Sequence, residues 1–143
     1  MSEREIEVIR HQYAAVNERD FARAMDLYAE DVVLAVPQSE SVQNPGTYEG
    51  KEAVGEWFGD WFRTFAADYQ FEFEEVRELG EGLIFLVASH GGTGRLSGVK
   101  VRGRNAYLYR VRDGKVSHVG FFATREEALE AAELPEWSAG EVD

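Results

Sequence analysis

The sequence predicts an α+β fold in which helices cover one face of a strongly curved antiparallel sheet around an apolar pocket. Three observations point there. The chain has 143 residues, with 44% hydrophobic and 13% aromatic composition, enough for one domain that buries roughly 70% of its unfolded surface. Helix-period patterns fill the first half of the chain. Strand-period patterns fill most of the second.

Ser2 and Glu5 form an S-x-x-E capping box, so a helix is expected from the start. Its apolar face is Ile6, Ile9, Tyr13 and Val16. Asn17 to Arg19 end it. Asp20 can cap a second, short helix with Phe21, Ala24, Met25 and Tyr28 on one face. Val32 to Val36 is a continuous, largely β-branched run and reads as a buried strand ending at Pro37. Residues 37–49 read as a long loop. A third helix opens at Gly50. Its Val54, Trp57, Phe58, Trp61, Phe62 and Phe65 recur at helical spacing, the strongest periodicity in the chain.

Residues 69–79 alternate Tyr69, Phe71 and Phe73 against polar partners, then slip near Glu74 and Glu75, as a bulge would. Gly80-Glu81-Gly82 is a turn. Leu83 to Ala88 is apolar throughout and reads as buried on both faces. Gly91 to Gly98 is a glycine-rich hairpin region, Val101 to Arg112 a long strand, Asp113-Gly114 a tight turn and Val116 to Phe122 the last strand. Thr124 and Glu127 repeat the capping box, for a helix to Leu134. One domain over residues 1–134 is expected, with a frayed tail over 135–143. The apolar residues on the far side of the sheet suggest a second subunit there, hence a homodimer through the outer sheet face.

Composition narrows the function. A net charge of −12 disfavours nucleic acid and anionic membranes as partners. With no cysteine, thiolate chemistry and disulfides are excluded. The start Met-Ser-Glu-Arg-Glu lacks an apolar stretch behind a basic one, so a cytoplasmic location is expected. His11, His90 and His118 show no metal-ligand spacing, and no metal or other cofactor is expected. Gly91-Gly92-Thr93-Gly94 is not a phosphate loop, because no Gly-Lys-Ser/Thr follows and it joins two strands. Seven basic residues between Arg95 and Lys115 face five acidic ones between Glu72 and Glu81. They form either an anion-binding patch or complementary strand pairs.

The order of elements resembles the NTF2-like superfamily. The resemblance rests on Tyr28-Ala29-Glu30-Asp31 before the first strand, Gly50-Lys51-Glu52-Ala53-Val54 opening the third helix, and Asp113-Gly114-Lys115-Val116 at the last hairpin. Gly94-Arg95-Leu96-Ser97-Gly98 and the run from Phe121 to Leu129 resemble its SnoaL-like, polyketide cyclase-like branch. The resemblance implies a cone-shaped homodimer with a hydrophobic pocket between helices and sheet. It also implies small-molecule binding, in some members with cofactor-independent acid–base catalysis such as cyclisation, isomerisation or dehydration. Non-catalytic members are known too, so fold does not choose function.

Several catalytic positions of the family are empty here. Val36 stands where steroid isomerases carry their base, Arg104 near their protonated acid, and Gln12 near their helix-1 tyrosine. Phe121 stands where epoxide hydrolases carry an aspartate. Tyr28 matches a supporting tyrosine. The candidate catalytic residues are therefore His90 as base, with Tyr28 or Arg104 polarising a carbonyl. Arg104 is expected to face inward by family parity, with pairing to Glu72 or Glu74 as the alternative, and Asn105, Tyr107 and Tyr109 to face the other way. His90 has a structural alternative, a bond to the backbone, and His118 is expected on the outer face. Tyr13, Val36, Gln38, Trp57, Phe58, Trp61 and Phe121 are the expected pocket residues, with Glu40 a carboxylate on the loop. The competing readings are a ligand-binding protein without catalysis and a dimerisation module with a filled core.

Overall fold

A computed structural model describes residues 2–37 and 45–138. The elements run α1 (Ser2–Asn17), α2 (Phe21–Asp26), β1 (Tyr28–Val36), β2 (Gly46–Glu49), α3 (Lys51–Arg63), β3 (Gln70–Gly80), β4 (Leu83–Thr93), β5 (Lys100–Arg112), β6 (Lys115–Phe122), α4 (Arg125–Ala132) and α5 (Pro135–Ser138). The six strands form one curved sheet in the order β2-β1-β6-β5-β4-β3. β1 and β6 run parallel and every other neighbouring pair is antiparallel. The α+β class expected from the sequence is the class observed.

Local chemistry accounts for most boundaries. The Asp20 side chain accepts the Arg23 backbone N–H and caps α2, and Thr124 does the same for Glu127 at α4. Asp113 and Gly114 both take positive φ, the geometry of a two-residue hairpin turn. The β3–β4 register shifts between Phe73 and Glu75. This bulge keeps Phe71, Phe73 and Val76 against the main core although their sequence parity changes.

The inner face carries the larger core. Ile9 and Tyr13 from α1 and Val54 and Trp57 from α3 pack on Leu34, Leu86, Tyr107 and Phe121. The outer face carries a second core of Leu83, Phe85, Val87, Ala106, Leu108 and Phe122, covered by Ala128 of α4 and Trp137 of α5.

This second core corrects three expectations. Within the expected tail, residues 135–138 form α5, and Trp137 is 1% exposed and stacks on His118 with ring centroids 3.9 Å apart. Burial of a large indole over an apolar sheet helps to offset the conformational entropy that the short segment loses in ordering. Residues 139–143 lie outside the described region. Helices therefore cover both sheet faces, and the apolar outer residues that suggested a second subunit are covered by the chain's own α4 and α5. His118 is outward, as expected, but under Trp137.

Two smaller corrections concern β1 and β2. Tyr28 does not belong to α2. The Leu27 carbonyl accepts the Val116 N–H, so the chain is already sheet-bonded there and Tyr28 opens β1. The expected loop 37–49 contains β2, which pairs Val33 with Glu49 and Val36 with Gly46. Gln38, Glu40 and the rest of residues 38–44 lie outside the described region.

Candidate functional site

Between α1, α2, α3 and the inner sheet face lies a cavity of about 720 Å³. This is within the size range of small-molecule sites. Its walls are mainly aromatic. Tyr107, Tyr109 and Phe121 come from the sheet, Tyr13 from α1, and Phe58 and Trp61 from α3. Edge-to-face contacts hold these rings. Trp61 meets Phe121 at 5.6 Å and Tyr107 meets Phe121 at 5.1 Å. The large apolar stripe of α3 thus divides its labour. Val54 and Trp57 fill core, while Phe58, Trp61 and Phe62 present surface to the cavity.

Besides the charged residues Arg19, Lys51, Glu52, Glu56, Arg63 and Arg95, the polar groups on this wall are four phenols and one amide. Tyr13 and Tyr109 share a hydroxyl–hydroxyl bond of 2.5 Å. Burial, reinforced by the neighbouring tyrosines, pushes both phenols well above their ordinary range, so both stay protonated. Burial alone pushes the Tyr28 phenol up. Among the described residues the Tyr28 hydroxyl has no hydrogen-bond partner, although the side chain is 7% exposed and lines the cavity. Gln12 is similar. Its Nε2 donates to the Ala24 carbonyl at 3.1 Å, which fixes the amide orientation and leaves Oε1 as an unused acceptor in the cavity wall.

His90 is engaged elsewhere. Asn105 Nδ2 donates to the Phe122 carbonyl at 3.4 Å, so its Oδ1 faces His90 Nε2 at 2.7 Å. An amide oxygen only accepts, and Nε2 therefore carries the hydrogen. Nδ1 of the neutral ring accepts the Tyr69 hydroxyl at 2.7 Å, and the Tyr69 oxygen accepts the Trp61 indole N–H at 2.9 Å. Burial lowers the His90 pKa and keeps the ring neutral. Gly103 makes this possible, because a Cβ there would stand 2.8 Å from the His90 ring. His90 edges a separate polar depression of about 530 Å³ with Asp68, Lys100 and Arg102, and does not line the aromatic cavity.

The expected residues therefore divide. Tyr13, Tyr28, Phe58, Trp61 and Phe121 meet in the cavity wall. Val36 and Trp57 are core beside it, and Gln38 is outside the described region. Arg104 faces the other way and pairs with Glu74 at 2.7 Å, the alternative its position allowed. The reason is register. Ala88 faces the inner core and lies opposite Asn105, and opposed residues share a face, so Asn105, Tyr107 and Tyr109 point in and Arg104 points out.

Tyr69, Tyr107, Tyr109 and Gln12 were not among the expected site residues. For the two β5 tyrosines the usable signal was local. Tyr107 and Tyr109 alternate with Ala106 and Leu108, which marks two buried faces, but alternation does not say which face is inner.

Charge is also arranged differently from the simple expectation. β4 separates β3 from β5, so Arg104 and Glu74 reach each other across it. Glu75 instead holds Arg125 of α4 by two hydrogen bonds of 2.8 and 2.9 Å, which pins α4 to the outer face. No group of three His, Cys, Asp or Glu among the described residues is arranged to hold a metal ion. No helix among them is long and apolar enough to cross a membrane.

Comparison with known proteins places this architecture. The family model of the SnoaL-like domain matches residues 9–119. No curated protein matches the chain. Among solved structures, a Mycobacterium tuberculosis protein in complex with an estradiol hemisuccinate superposes with a TM-score of 0.71 at 19% identity, covering 85% of this chain and 94% of its own. TerC, co-crystallised with polyporic acid, has a TM-score of 0.71 and 19% identity over 92% of this chain and 99% of its own. An NTF2-like protein of unknown function from Burkholderia pseudomallei has a TM-score of 0.71 and 20% identity, with 92% and 98% covered. At these identities the likeness is one of fold.

Proposed function

We propose that this chain, which belongs to the SnoaL-like domain family, binds a small, mostly apolar organic molecule between its first three helices and the inner sheet face. The observation that carries this reading is the aromatic cavity of about 720 Å³, whose wall holds an unpartnered Tyr28 hydroxyl and an unused Gln12 carbonyl. Aromatic walls supply area and a planar preference. The two polar groups supply orientation, with a phenol that can donate and an amide oxygen that can accept. A ligand with a ring system and one hydroxyl or carbonyl suits both. Solved relatives hold an estradiol hemisuccinate and polyporic acid, and those compounds form a sensible first panel. Trp61 lines the cavity and reports occupancy by its fluorescence. Saturable quenching by a panel member, lost in Trp61→Phe, supports the reading. A cavity shown by crystallography to be closed by its own side chains would sink it.

Catalysis is the second reading, and one observation favours it. A buried, protonated, partnerless Tyr28 can polarise a carbonyl as it gains charge, in a cofactor-independent isomerisation, cyclisation or dehydration. His90 has both ring nitrogens engaged outside the cavity and takes no part in this version. The acids on the cavity wall are Glu52 and Glu56, both on exposed positions of α3. Binding without turnover is therefore the better-supported form. Product formation by the wild type that Tyr28→Phe abolishes would reverse that order. Homodimerisation rests on family likeness alone, and light scattering reads it directly.

A further inference from the structure

We infer that the ligand of this cavity is an organic anion, whose acidic group docks on Arg19 and Arg95 while its apolar body fills the aromatic interior. The inference rests on the binding reading above and adds the chemical class of the ligand.

Both arginines line the cavity, and both converge on the segment after α3. Arg19 follows α1 with a positive φ of 66°. Its Nη2 donates to the carbonyls of Ala67 and Tyr69, each at 2.7 Å, and its Nη1 to Val16 at 3.2 Å. Arg95 approaches from the β4–β5 hairpin and donates to the Phe65 carbonyl at 3.2 Å. Carbonyl dipoles position a guanidinium but do not cancel its charge. Among the described residues neither arginine has a carboxylate partner.

The contrast lies within the cavity wall itself. Other cations of the cavity wall are paired. Lys51 meets Glu30 at 3.4 Å, and Arg63 meets Asp60. Of the wall's acids, Glu52 sits at the opposite end of α3 from Arg63 and Glu56 near the middle of the helix. At 1.5 Å per residue they stand roughly 16 and 10 Å along the helix from Arg63. The positive φ of Arg19 belongs to a helix C-cap, in which the Asp20 N–H bonds the Ala15 carbonyl and the Arg19 N–H the Val16 carbonyl, so the turn that closes α1 also sends this side chain to the segment after α3. A flat guanidinium pair beside an aromatic interior suits a carboxylate, sulfonate or phenolate on a ring system.

A matched probe pair tests this. Anilinonaphthalene sulfonate and phenylnaphthylamine share one aromatic body and differ by the sulfonate. Dissociation constants for both are measured by fluorescence on the wild type, Arg95→Gln and Arg95→Glu, at low and high salt. The expected result is that the sulfonate loses about fivefold in affinity relative to the neutral probe in Arg95→Gln, and more in Arg95→Glu. Added salt should erode the same preference in the wild type. A probe ratio indifferent to both variants and to salt overturns the inference while leaving the apolar cavity reading intact. Failure of both probes to bind the wild type overturns the binding reading and this inference together.

Discussion

The indole N–H of Trp61 donates to the hydroxyl of Tyr69 at 2.9 Å, so a cavity-wall ring is oriented by a polar chain that runs away from the cavity. That chain continues through His90 to Asn105 and ends on the Phe122 carbonyl. On this geometry we predict that His90 shapes the wall rather than reacting in it.

Replacing His90 should therefore loosen the wall. His90→Ala leaves Tyr69 and Asn105 each short of a partner and should cost about 1–3 kcal/mol. Chemical denaturation reads the loss. Ligand affinity should fall only as far as Trp61 mobility allows. A dead enzyme with unchanged stability would contradict this and restore a catalytic histidine.

Stability should also fall in mild acid. His90 and His118 both have pKa values lowered by burial from the ordinary 6.5, with Arg110 adding to the effect at His118. Their neutral forms belong to the folded state, so the unfolded chain binds more protons below that value. The stability they contribute is complete above pH 6.5 and declines as pH drops toward their folded values. Unfolding free energies measured between neutral pH and about pH 5, the lower edge of the histidine range, should show the decline. The double variant His90→Gln, His118→Gln should flatten it.

Tyr28→Phe isolates the ligand contact. The hydroxyl has no protein partner among the described residues, so its removal should leave the melting temperature unchanged or slightly raised. A ligand with a carbonyl or hydroxyl should bind about fivefold more weakly, whereas a hydrocarbon analogue should not. Calorimetry with the two ligands separates these outcomes.

Trp137→Ala should destabilise the fold by about 3–5 kcal/mol, because a fully buried indole leaves a void over Gly120 and Phe122. The same change uncovers His118, whose pKa should return toward 6.5 as water reaches it. Histidine NMR titration follows that shift. A variant as stable as wild type would mean that the segment after Leu134 contributes nothing.

Arg104→Ala provides the contrast. Its pair with Glu74 has side chains 66% and 35% exposed, and such pairs contribute roughly 0–1 kcal/mol. Stability and ligand affinity should both stay close to wild type. A large loss of binding would place Arg104 in the site after all.

Local sequence determined much of this protein. The caps at Asp20 and Thr124, the turn at Asp113-Gly114, the bulge near Glu74 and the apolar stripe of α3 each depend on a few neighbouring residues, and each is where its pattern puts it. Five of the expected site residues, Tyr13, Tyr28, Phe58, Trp61 and Phe121, share one cavity, Tyr28 and Phe121 having been expected there from the family resemblance. What the tertiary structure decided was which side of β5 faces in. A strand alternates regardless of its register, and a one-residue change in pairing moves every side chain to the other face. The pairing of Ala88 with Asn105 made that choice, sending Arg104 to Glu74 and bringing Tyr107 and Tyr109 to the cavity. The fate of His90 was decided similarly, since Tyr69 and Asn105 lie 21 and 15 residues away along the chain and meet the ring only once β3, β4 and β5 have paired. The cover that Trp137 gives to His118 is likewise a contact between distant segments.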